Sequence, residues 1–259
     1  MRITILGSGG SSGTPAVDFG WAKANPDDPR NRRLRPSVLV EDGDTTILVD
    51  TSPDLRQQLL NAEVQKLNAV LFTHWHADHL HGIDDLRPIN RLMDTPIDIY
   101  TDADTLAVIE ERFAYVLEPL ADGAPFFYKP VLNQRTIGHG DRFTIGSIDI
   151  TVMQQDHGHC TTLGFRFGDM AYSTDVVELP EDAFDMLAGV DTWIVGTLVD
   201  NPHPTHAHVD KAVGWMQRVK PRRGVLTHLS GLFDYETLNA RLPGNIEPAY
   251  DGLVLEQGQ

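Results

Sequence analysis

The sequence predicts an α/β fold in which two mixed sheets are faced by helices. Of the 259 residues, 41% are apolar and 22% are charged, and this composition is typical of a globular chain. Short apolar segments with strand character recur along the chain, and helical segments follow them in two successive groups. Sheets covered by helices fit this order. We expect one domain over residues 1–259, since a domain of this length is ordinary.

The first group alternates strands with turns and two helices. The loop GSGGSSGTP after the first strand does not have the glycine spacing of a dinucleotide-binding loop. Ser52-Pro53-Asp54 is expected to cap and open a helix near 53–62. The predicted order is strand RITILG, the hairpin strands PSVLVED and TTILVDT, that helix, strand NAVLFT, strand TPIDIYTD and helix DADTLAVIEERFAYV.

The second group follows residues 118–136, whose proline and aromatic residues predict irregular structure. Glycine-containing turns separate its strands. The predicted order is the strands DRFTIG, IDITVMQQ, LGFRFG and MAYSTD, helix PEDAFDMLAG, strand DTWIVGTLV, helix HVDKAVGWMQRVK, strand RRGVLTH and helix DYETLNARL.

A dense group of ionisable residues follows the apolar run LNAVLF. HWHADH places His74, His76, Asp78 and His79 on a predicted turn, where alternate side chains can converge on one point. Imidazole nitrogens and carboxylate oxygens bind zinc, manganese or iron. So many of these groups within six residues indicate a metal site rather than solvated surface. His81 lies beyond this core and is expected to be solvated or to support a ligand.

Ionisable residues also stand where three later strands end. ITVMQQDHGH ends in His157 and His159, MAYSTD leads to Asp175, and GVLTH ends in His228. One such residue is most often a structural cap, but three of them together with HWHADH favour a shared metal centre at one edge of the sheets. The single cysteine, Cys160, excludes a cysteine-rich zinc site, so the ligands would be histidines and carboxylates.

The number of candidate ligands suggests two divalent metal ions, zinc or manganese. Two ions about 3.5–4 Å apart can activate water and neutralise an anionic oxygen, which is hydrolase chemistry. The chain has no G-x-S-x-G nucleophile motif. The expected ligands are His74, His76 and His157 for one ion and Asp78, His79 and His228 for the other, with Asp175 as a bridging carboxylate.

These residues resemble the metallo-β-lactamase superfamily. THWHADH followed by His157, Asp175 and His228 is similar to its H-x-H-x-D-H signature and downstream ligands, over nearly the whole chain. More narrowly, ILGSGGSSGTP, HADHLHGIDDLRPIN, STDVVELPE and THAHVDKAV…VLTHLS resemble the phosphoribosyl 1,2-cyclic phosphate phosphodiesterases of bacterial phosphonate breakdown. The resemblance implies a four-layer αββα sandwich, a dinuclear site at the upper edge of the two sheets, and phosphodiester hydrolysis.

The resemblance also implies roles outside the ligand set. In that subfamily a histidine that binds no metal lies upstream of the last metal histidine and assists catalysis at the phosphate. His206, 22 residues before His228, matches it, and His208 is the nearby competitor; either could instead cap the next helix. Asp78 is expected to be catalytic as well as ligating. Asp50 matches a carboxylate that orients the metal loop or a ligand histidine.

Arg87 and Asn90 in DDLRPIN, together with His206 and His208, are candidate substrate contacts. The chain departs from the phosphonate enzyme in one respect. AVDFGWAKANPDDPRNRRLRP lacks the cysteine of a structural zinc site, and no histidine follows THLS closely. The sequence therefore supports neither a structural zinc ion nor an identical substrate.

The net charge of −16 disfavours binding of long nucleic acids and anionic membranes. Arg30, Arg32, Arg33 and Arg35 are a local exception, and a solvated loop and a phosphate-binding edge are equally expected there. No apolar run approaches the roughly 20 residues that span a bilayer. Because the start, MRITILGSGG, lacks a secretory signal, we expect a cytoplasmic protein.

Together these features predict a dinuclear metal-dependent phosphodiesterase that hydrolyses a small cyclic or nucleotide-like phosphodiester. Relatives are often dimers, so a homodimer is one alternative for its assembly. A ribonuclease Z-like processor of RNA shares the motif, but the chain has no insertion typical of its basic arm and is acidic. Thioester, lactone and β-lactam hydrolysis are further alternatives. A catalytically silent binding protein is disfavoured because all seven ligand positions are filled.

Overall fold

Two seven-stranded sheets form the centre of the computed structural model, which describes residues 1–258. The strands of the first sheet are β1 (Arg2–Gly7), β2 (Ser37–Asp42), β3 (Thr45–Val49), β4 (Ala69–Leu71), β5 (Ile97–Thr101), β6 (Leu132–Thr136) and β14 (Val254–Glu256). Their spatial order is β14-β1-β2-β3-β4-β5-β6. The pairs from β14 to β3 are antiparallel, and those from β3 to β6 are parallel.

The second sheet repeats this pairing pattern. Its strands are β7 (Arg142–Ile145), β8 (Ile148–Asp156), β9 (Thr161–Phe167), β10 (Met170–Ser173), β11 (Thr192–Gly196), β12 (Arg223–Thr227) and β13 (Ile246–Pro248), in chain order across the sheet. Pairing is antiparallel from β7 to β10 and parallel from β10 to β13. In both sheets, therefore, one strand pairs antiparallel on one side and parallel on the other. We call β3 and β10 the switch strands.

Helices cover the outer faces of both sheets. They are α1 (Leu55–Asn61), α2 (Ala77–Leu80), α3 (Arg87–Met93), α4 (Ala103–Phe113), α5 (Glu181–Met186), α6 (Val209–Val219) and α7 (Tyr235–Asn239). In α6 the buried residues Val209, Ala212, Trp215 and Met216 recur at helical spacing, which gives the helix one apolar face. Among residues 1–258 no helix is long and apolar enough to cross a membrane.

Three apolar clusters separate four layers. The cluster between the sheets joins side chains of both, such as Val49 and Phe165. A second cluster packs α1, α3 and α4 on the first sheet, and a third packs α5, α6 and α7 on the second. The burial of this apolar surface is what holds the layers together. The four-layer αββα sandwich implied by the resemblance is therefore confirmed.

The prediction of irregular structure over residues 118–136 is wrong at its end, where β6 pairs with β5. Four of the five residues of β6 are exposed, so this edge strand lacks the apolar alternation that would predict it from the sequence. The helix predicted near 53–62 is present as α1, but Asp54 at its N-cap makes no side-chain capping bond. Asp54 instead forms an ion pair with Arg35.

The arginines at 30–35 fit neither expected alternative, because three of the four have protein partners. Arg33 is buried, and its guanidinium donates to the carbonyl oxygens of Phe233 and Ser230 and to Asn31. Arg30 pairs with Asp28 and Glu236, and Arg35 pairs with Asp54. Only Arg32 is exposed, with its guanidinium 5.0 Å from the centroid of the Trp21 ring. The loop is therefore a structural clamp between the region after β1 and the region after β12.

Candidate metal centre

The HWHADH segment begins three residues after β4 ends. The backbone N–H of Thr73 donates to Oδ1 of Asp50 at 2.8 Å, which fixes the chain just before His74. His76 has extended backbone angles and stands at the N-cap of α2, so Asp78 and His79 lie on a short helix rather than on the predicted turn. The backbone thus changes from extended at His76 to helical in α2. The side chains on the two sides of this change belong to two different groups of candidate metal ligands.

The second sheet supplies the remaining candidate ligands from three strand ends. His157 follows β8, Asp175 lies two residues beyond β10, and His228 follows β12. Asp175 and His228 have left-handed backbone angles, with φ of 48° and 57°. This conformation costs energy for residues other than glycine, and such strain is concentrated at functional sites.

All seven candidate ligands come together. Four groups of side chains have ligand atoms within 4.8 Å of one another: His74, His76 and His157; Asp78, His79 and His228; His74, His79 and Asp175; and His157, Asp175 and His206. Nε2 of His79 is 3.0 Å and Nε2 of His228 is 3.3 Å from Oδ2 of Asp175. Nε2 of His157 is 3.6 Å from Oδ1 of the same carboxylate. The first two groups are the two triads expected from the sequence, and Asp175 lies between them.

The protein orients these imidazoles through their Nδ1 atoms. Nδ1 of His157 donates to the carbonyl oxygen of Thr205 at 2.6 Å. Nδ1 of His79 lies 2.7 Å from Oδ2 of Asp50, and Nδ1 of His74 lies 3.0 Å from the hydroxyl of Thr73. A carbonyl or carboxylate oxygen accepts a hydrogen bond from Nδ1–H, and in that tautomer the neutral ring carries its lone pair on Nε2.

Several of the remaining buried ring nitrogens have no hydrogen-bond partner among the described residues, although Nε2 of His79 and Nε2 of His228 face a carboxylate. They are Nε2 of His74, Nε2 of His79, and both ring nitrogens of His228. A buried polar atom without a partner costs free energy, and each such atom in a native structure needs an explanation. Nitrogen lone pairs facing carboxylate oxygens are the donor set of a divalent metal ion. The residues present therefore fit divalent metal.

Asp50, the residue expected to orient a ligand, lies behind the cluster. It is fully buried, and it accepts hydrogen bonds from the backbone N–H of Thr73 and, at 2.8 Å, from the Thr73 hydroxyl. Its contact with Nδ1 of His79 places a carboxylate behind that imidazole. Such a contact fixes the tautomer and the ring orientation.

Burial and neighbouring charges act on the carboxylates in opposite directions. Burial raises the pKa of Asp50 above its ordinary value, against the opposing effect of His79. Burial would also raise the pKa of Asp175, but the nearby imidazoles of His228 and His79 outweigh it and hold that pKa well below the ordinary value. The pKa of Asp78 is likewise lowered, because His79 and His228 outweigh burial. Asp78 and Asp175 are therefore ionised.

A pocket of about 180 Å³ opens onto these groups. It is lined by Ser11, His76, Asp78, His157, His159, Asp175, Thr205, His206 and His228. Nδ1 of His206 is 3.6 Å from Oδ1 of Asp175, and the His206 ring lies 5.1 Å from that of His228. Burial lowers the pKa of His206 to about 3, so its imidazole is neutral at neutral pH. His206 therefore faces the pocket beside the candidate ligands.

Four other residues singled out in the sequence lie outside this pocket. His208 is the N-cap residue of α6 and makes no side-chain capping bond. Arg87 is exposed at the start of α3, and its guanidinium donates to the carbonyl oxygen of Tyr128 at 3.4 Å. His81 is exposed and packs on the Phe113 ring, with a centroid distance of 5.5 Å. The prediction that Asn90 contacts substrate is wrong, because Asn90 is fully buried.

The Asn90 side chain is held within the protein. Its amide nitrogen donates to the carbonyl oxygens of Thr95 and Val131, and its amide oxygen accepts from the backbone N–H of Val131. These bonds anchor α3 to the chain entering β5 and β6. Asn90 in the DDLRPIN segment therefore stabilises the fold.

The sequence reasoning missed Ser11 and Thr205 as pocket residues. The signal for Ser11 was the loop after β1, ILGSGGSSGTP, which resembles the phosphodiesterase subfamily but has no side chain to which the resemblance gave a role. The structure explains those glycines in part, because a Cβ on Gly10 would lie 2.8 Å from Leu198 and 3.6 Å from the His228 ring. Thr205 acts through its backbone carbonyl, which no side-chain motif can indicate.

Comparison with known proteins identifies a family and several similar curated proteins. Residues 45–229 match the family model described as the beta-lactamase superfamily domain. The octanoyltransferase of Porphyromonas gingivalis is 32% identical over 257 residues, which are 98% of this chain and 51% of that protein. The chain thus spans about half the length of this curated relative.

Solved structures share the fold across the whole chain. A crystal structure described as a new diphosphatase from the PhnP family has a TM-score of 0.90 and 33% identity, covering 99% of this chain and 97% of that one. Zinc-bound PqqB from Methylobacterium extorquens has a TM-score of 0.76 at 20% identity, covering 99% and 100%. The short form of human tRNase Z has a TM-score of 0.70 at 18% identity, covering 99% of both chains. The last two similarities concern the fold alone.

Proposed function

The chain belongs to the metallo-β-lactamase superfamily, and on that premise we propose that it is a dinuclear metal-dependent phosphodiesterase acting on a small cyclic or nucleotide-like phosphodiester. Its αββα fold and its histidine and aspartate clusters are those of a metal-binding hydrolase of this superfamily. The number of ions, their identity and the phosphodiester substrate belong to the proposal.

One observation carries it: a single small pocket is lined by members of both triads of candidate ligands, by the carboxylate between them, and by His206, which belongs to neither triad. His74, His76 and His157 would hold one ion, and Asp78, His79 and His228 the other, with Asp175 shared. Two divalent ions bound there would lower the pKa of water and neutralise charge on a phosphate.

Other residues of the chain would orient the ligand imidazoles and contact the phosphate. Asp50 and the Thr205 carbonyl keep the imidazoles of His79 and His157 in one tautomer and orientation. His206, neutral at neutral pH, can donate an N–H to a phosphate oxygen. It could protonate a leaving oxygen only after an entering phosphate has raised its pKa. Asp78, ionised within the pocket, is the proposed catalytic carboxylate.

The similarity to a diphosphatase supports hydrolysis at phosphorus, since it extends over 99% of the chain at 33% identity. The name octanoyltransferase describes a protein of which this chain covers 51%, and we do not extend that activity to this chain. The alternative of a ribonuclease Z-like enzyme has support from the fold alone. A cytoplasmic location and a homodimeric assembly stay predictions.

A panel of cyclic phosphates, dinucleotides and a transfer RNA precursor, assayed with Mn²⁺ and Zn²⁺, tests the proposal. We expect turnover of a small phosphodiester by protein that binds two metal ions, and none by Asp175→Ala. Cleavage of the RNA precursor alone would favour the ribonuclease alternative. Protein that binds no metal and cleaves no phosphodiester would support the silent binding protein.

A further inference from the structure

A half-exposed tryptophan lies at the side of the pocket, between the first two histidines of the motif. The ring of Trp75 packs edge-on against that of His76, with centroids 4.6 Å apart and an interplanar angle of 81°. His76 lines the pocket and Trp75 does not, so His76 is the side chain through which the indole adjoins the pocket. Trp75 is partly buried against the apolar cluster that contains Ile109 of α4, and part of its side chain is exposed. A fixed indole beside a polar pocket is suited to bind a flat ring.

The cation next to this indole has fewer partners than Arg218, which also lies over an aromatic ring. The guanidinium carbon of Arg112 lies 5.8 Å from the Trp75 ring centroid. Arg218 lies 3.7 Å from the Phe184 ring and also forms an ion pair with Glu181. Arg112 is exposed and has no carboxylate partner within the described residues 1–258. It is therefore loosely held and can move to cover a ring stacked on Trp75.

From these contacts we propose that Trp75 and Arg112 form a binding platform for an aromatic base carried by the substrate. This proposal rests on the proposed phosphodiesterase function, and it specifies a nucleoside phosphodiester as the class of substrate. The phosphate would occupy the pocket beside His76 and His206 while the base stacks on the indole. The acidic surface restricts the ligand to a small one, since a net charge of −16 repels a long polyanion.

Three phosphodiesters with the same leaving group measure the platform without changing the chemical step. They are methyl p-nitrophenyl phosphate, bis(p-nitrophenyl) phosphate and thymidine 5′-(p-nitrophenyl phosphate), which differ in the group that stays on phosphorus. We expect kcat/KM of the wild type to be higher for the nucleoside ester than for the methyl ester. Because stacking on an aromatic side chain contributes roughly 1–3 kcal/mol per base, Trp75→Leu should reduce that ratio about tenfold. Trp75→Phe should retain most of the ratio, and Arg112→Gln should reduce it less than Trp75→Leu.

Arg56→Gln is the matched control, because Arg56 is an exposed arginine on α1. It should leave the ratio unchanged. An equal loss for all three esters in Trp75→Leu would mean that Trp75 only supports His76, and would overturn the platform. An unchanged ratio in that variant would overturn it as well.

Calorimetric binding of AMP and of ribose 5-phosphate separates this proposal from the proposed function. We expect AMP to bind more tightly than ribose 5-phosphate, and the difference to disappear in Trp75→Leu. If that result is obtained in protein without phosphodiesterase activity, the platform stands and the proposed function fails. Equal binding of the two ligands to the wild type would overturn the platform whatever the activity.

Discussion

Asp50 and Asp175 occupy corresponding places in the two halves of the chain. Each follows a switch strand, β3 or β10, and each is buried with a left-handed backbone, at φ of 65° and 48°. The two carboxylates contact the same imidazole from opposite sides. Oδ2 of Asp50 is 2.7 Å from Nδ1 of His79, and Oδ2 of Asp175 is 3.0 Å from Nε2.

The surroundings of the two carboxylates differ. Asp50 accepts hydrogen bonds from the backbone and the hydroxyl of Thr73 as well as facing His79, so its oxygens are satisfied within the protein. Asp175 accepts one bond, from the hydroxyl of Thr174, and otherwise faces imidazole nitrogens. The same residue at equivalent positions thus orients a histidine where donors surround it, and is suited to bind metal where lone pairs face it.

Among the substitutions that test this difference between Asp50 and Asp175, replacing Asp175 should have the largest effect on metal content and turnover. Because its carboxylate is proposed to serve both ions, Asp175→Ala should lower metal content and abolish turnover together while the fold remains. Metal analysis of the purified variant and circular dichroism check this. Two ions bound per chain in Asp175→Ala would contradict the assignment.

Replacing His206 tests the contact that Asp175 makes within the pocket, where Nδ1 of His206 lies 3.6 Å from Oδ1 of Asp175. His206 is outside the two triads, so His206→Ala should keep both ions while kcat falls roughly 10²–10⁴-fold. The loss should be smaller for an aryl phosphodiester, whose leaving oxygen needs no proton. Kinetics with a poor and a good leaving group measure the difference.

His208→Ala is the control for that experiment, since His208 lies outside the pocket at the start of α6. It should be comparatively mild. If His208→Ala were the more damaging variant, His208 would take the proposed role. If both variants kept full activity on a poor leaving group, neither histidine would be catalytic.

Replacing Asp50 should have a smaller effect, and one that added metal can reverse. Loss of a carboxylate behind a ligand histidine weakens metal binding by about 10- to 100-fold. Asp50→Asn should therefore lose activity at low metal and regain most of it at saturating Zn²⁺ or Mn²⁺. A metal titration of kcat gives the answer. If saturating metal restored nothing, Asp50 would not differ from Asp175 in the way we describe.

Changes in the arginine clamp should leave the chemistry of both carboxylates nearly unaffected. Arg33→Gln leaves the buried carbonyl oxygen of Phe233 without its donor, while that of Ser230 still accepts from the backbone N–H of Phe233. An unsatisfied buried acceptor costs roughly 1–3 kcal/mol of unfolding free energy. The exposed Arg32 provides the control, and Arg32→Gln should change stability by less than about 0.5 kcal/mol. Denaturant unfolding compares them. A rise in KM for an anionic substrate with kcat unchanged in Arg32→Gln would instead support a phosphate-binding edge.

The fold class and the ionisable residues that meet at the site could be predicted from the amino-acid sequence. Apolar segments with strand or helix periodicity predicted most elements, because burial of one face imposes that periodicity. HWHADH and the ionisable residues at three later strand ends could be read without a structure, since strand ends on one side of a sheet lie at one edge. The edge strand β6 could not be predicted, because four of its five residues are exposed and its sequence has no apolar alternation.

The role of each polar residue depends on contacts between distant parts of the folded chain. Asn90 and Arg33 are polar side chains in a charged part of the sequence, yet both are buried because backbone carbonyls distant in the chain accept their N–H groups. The choice between His206 and His208 as the pocket histidine also depended on it, since two positions separate them in sequence and only His206 lies in the pocket. A carboxylate or an imidazole is the same group wherever it occurs; the atoms that the folded chain places around it set its charge, its partners and its function.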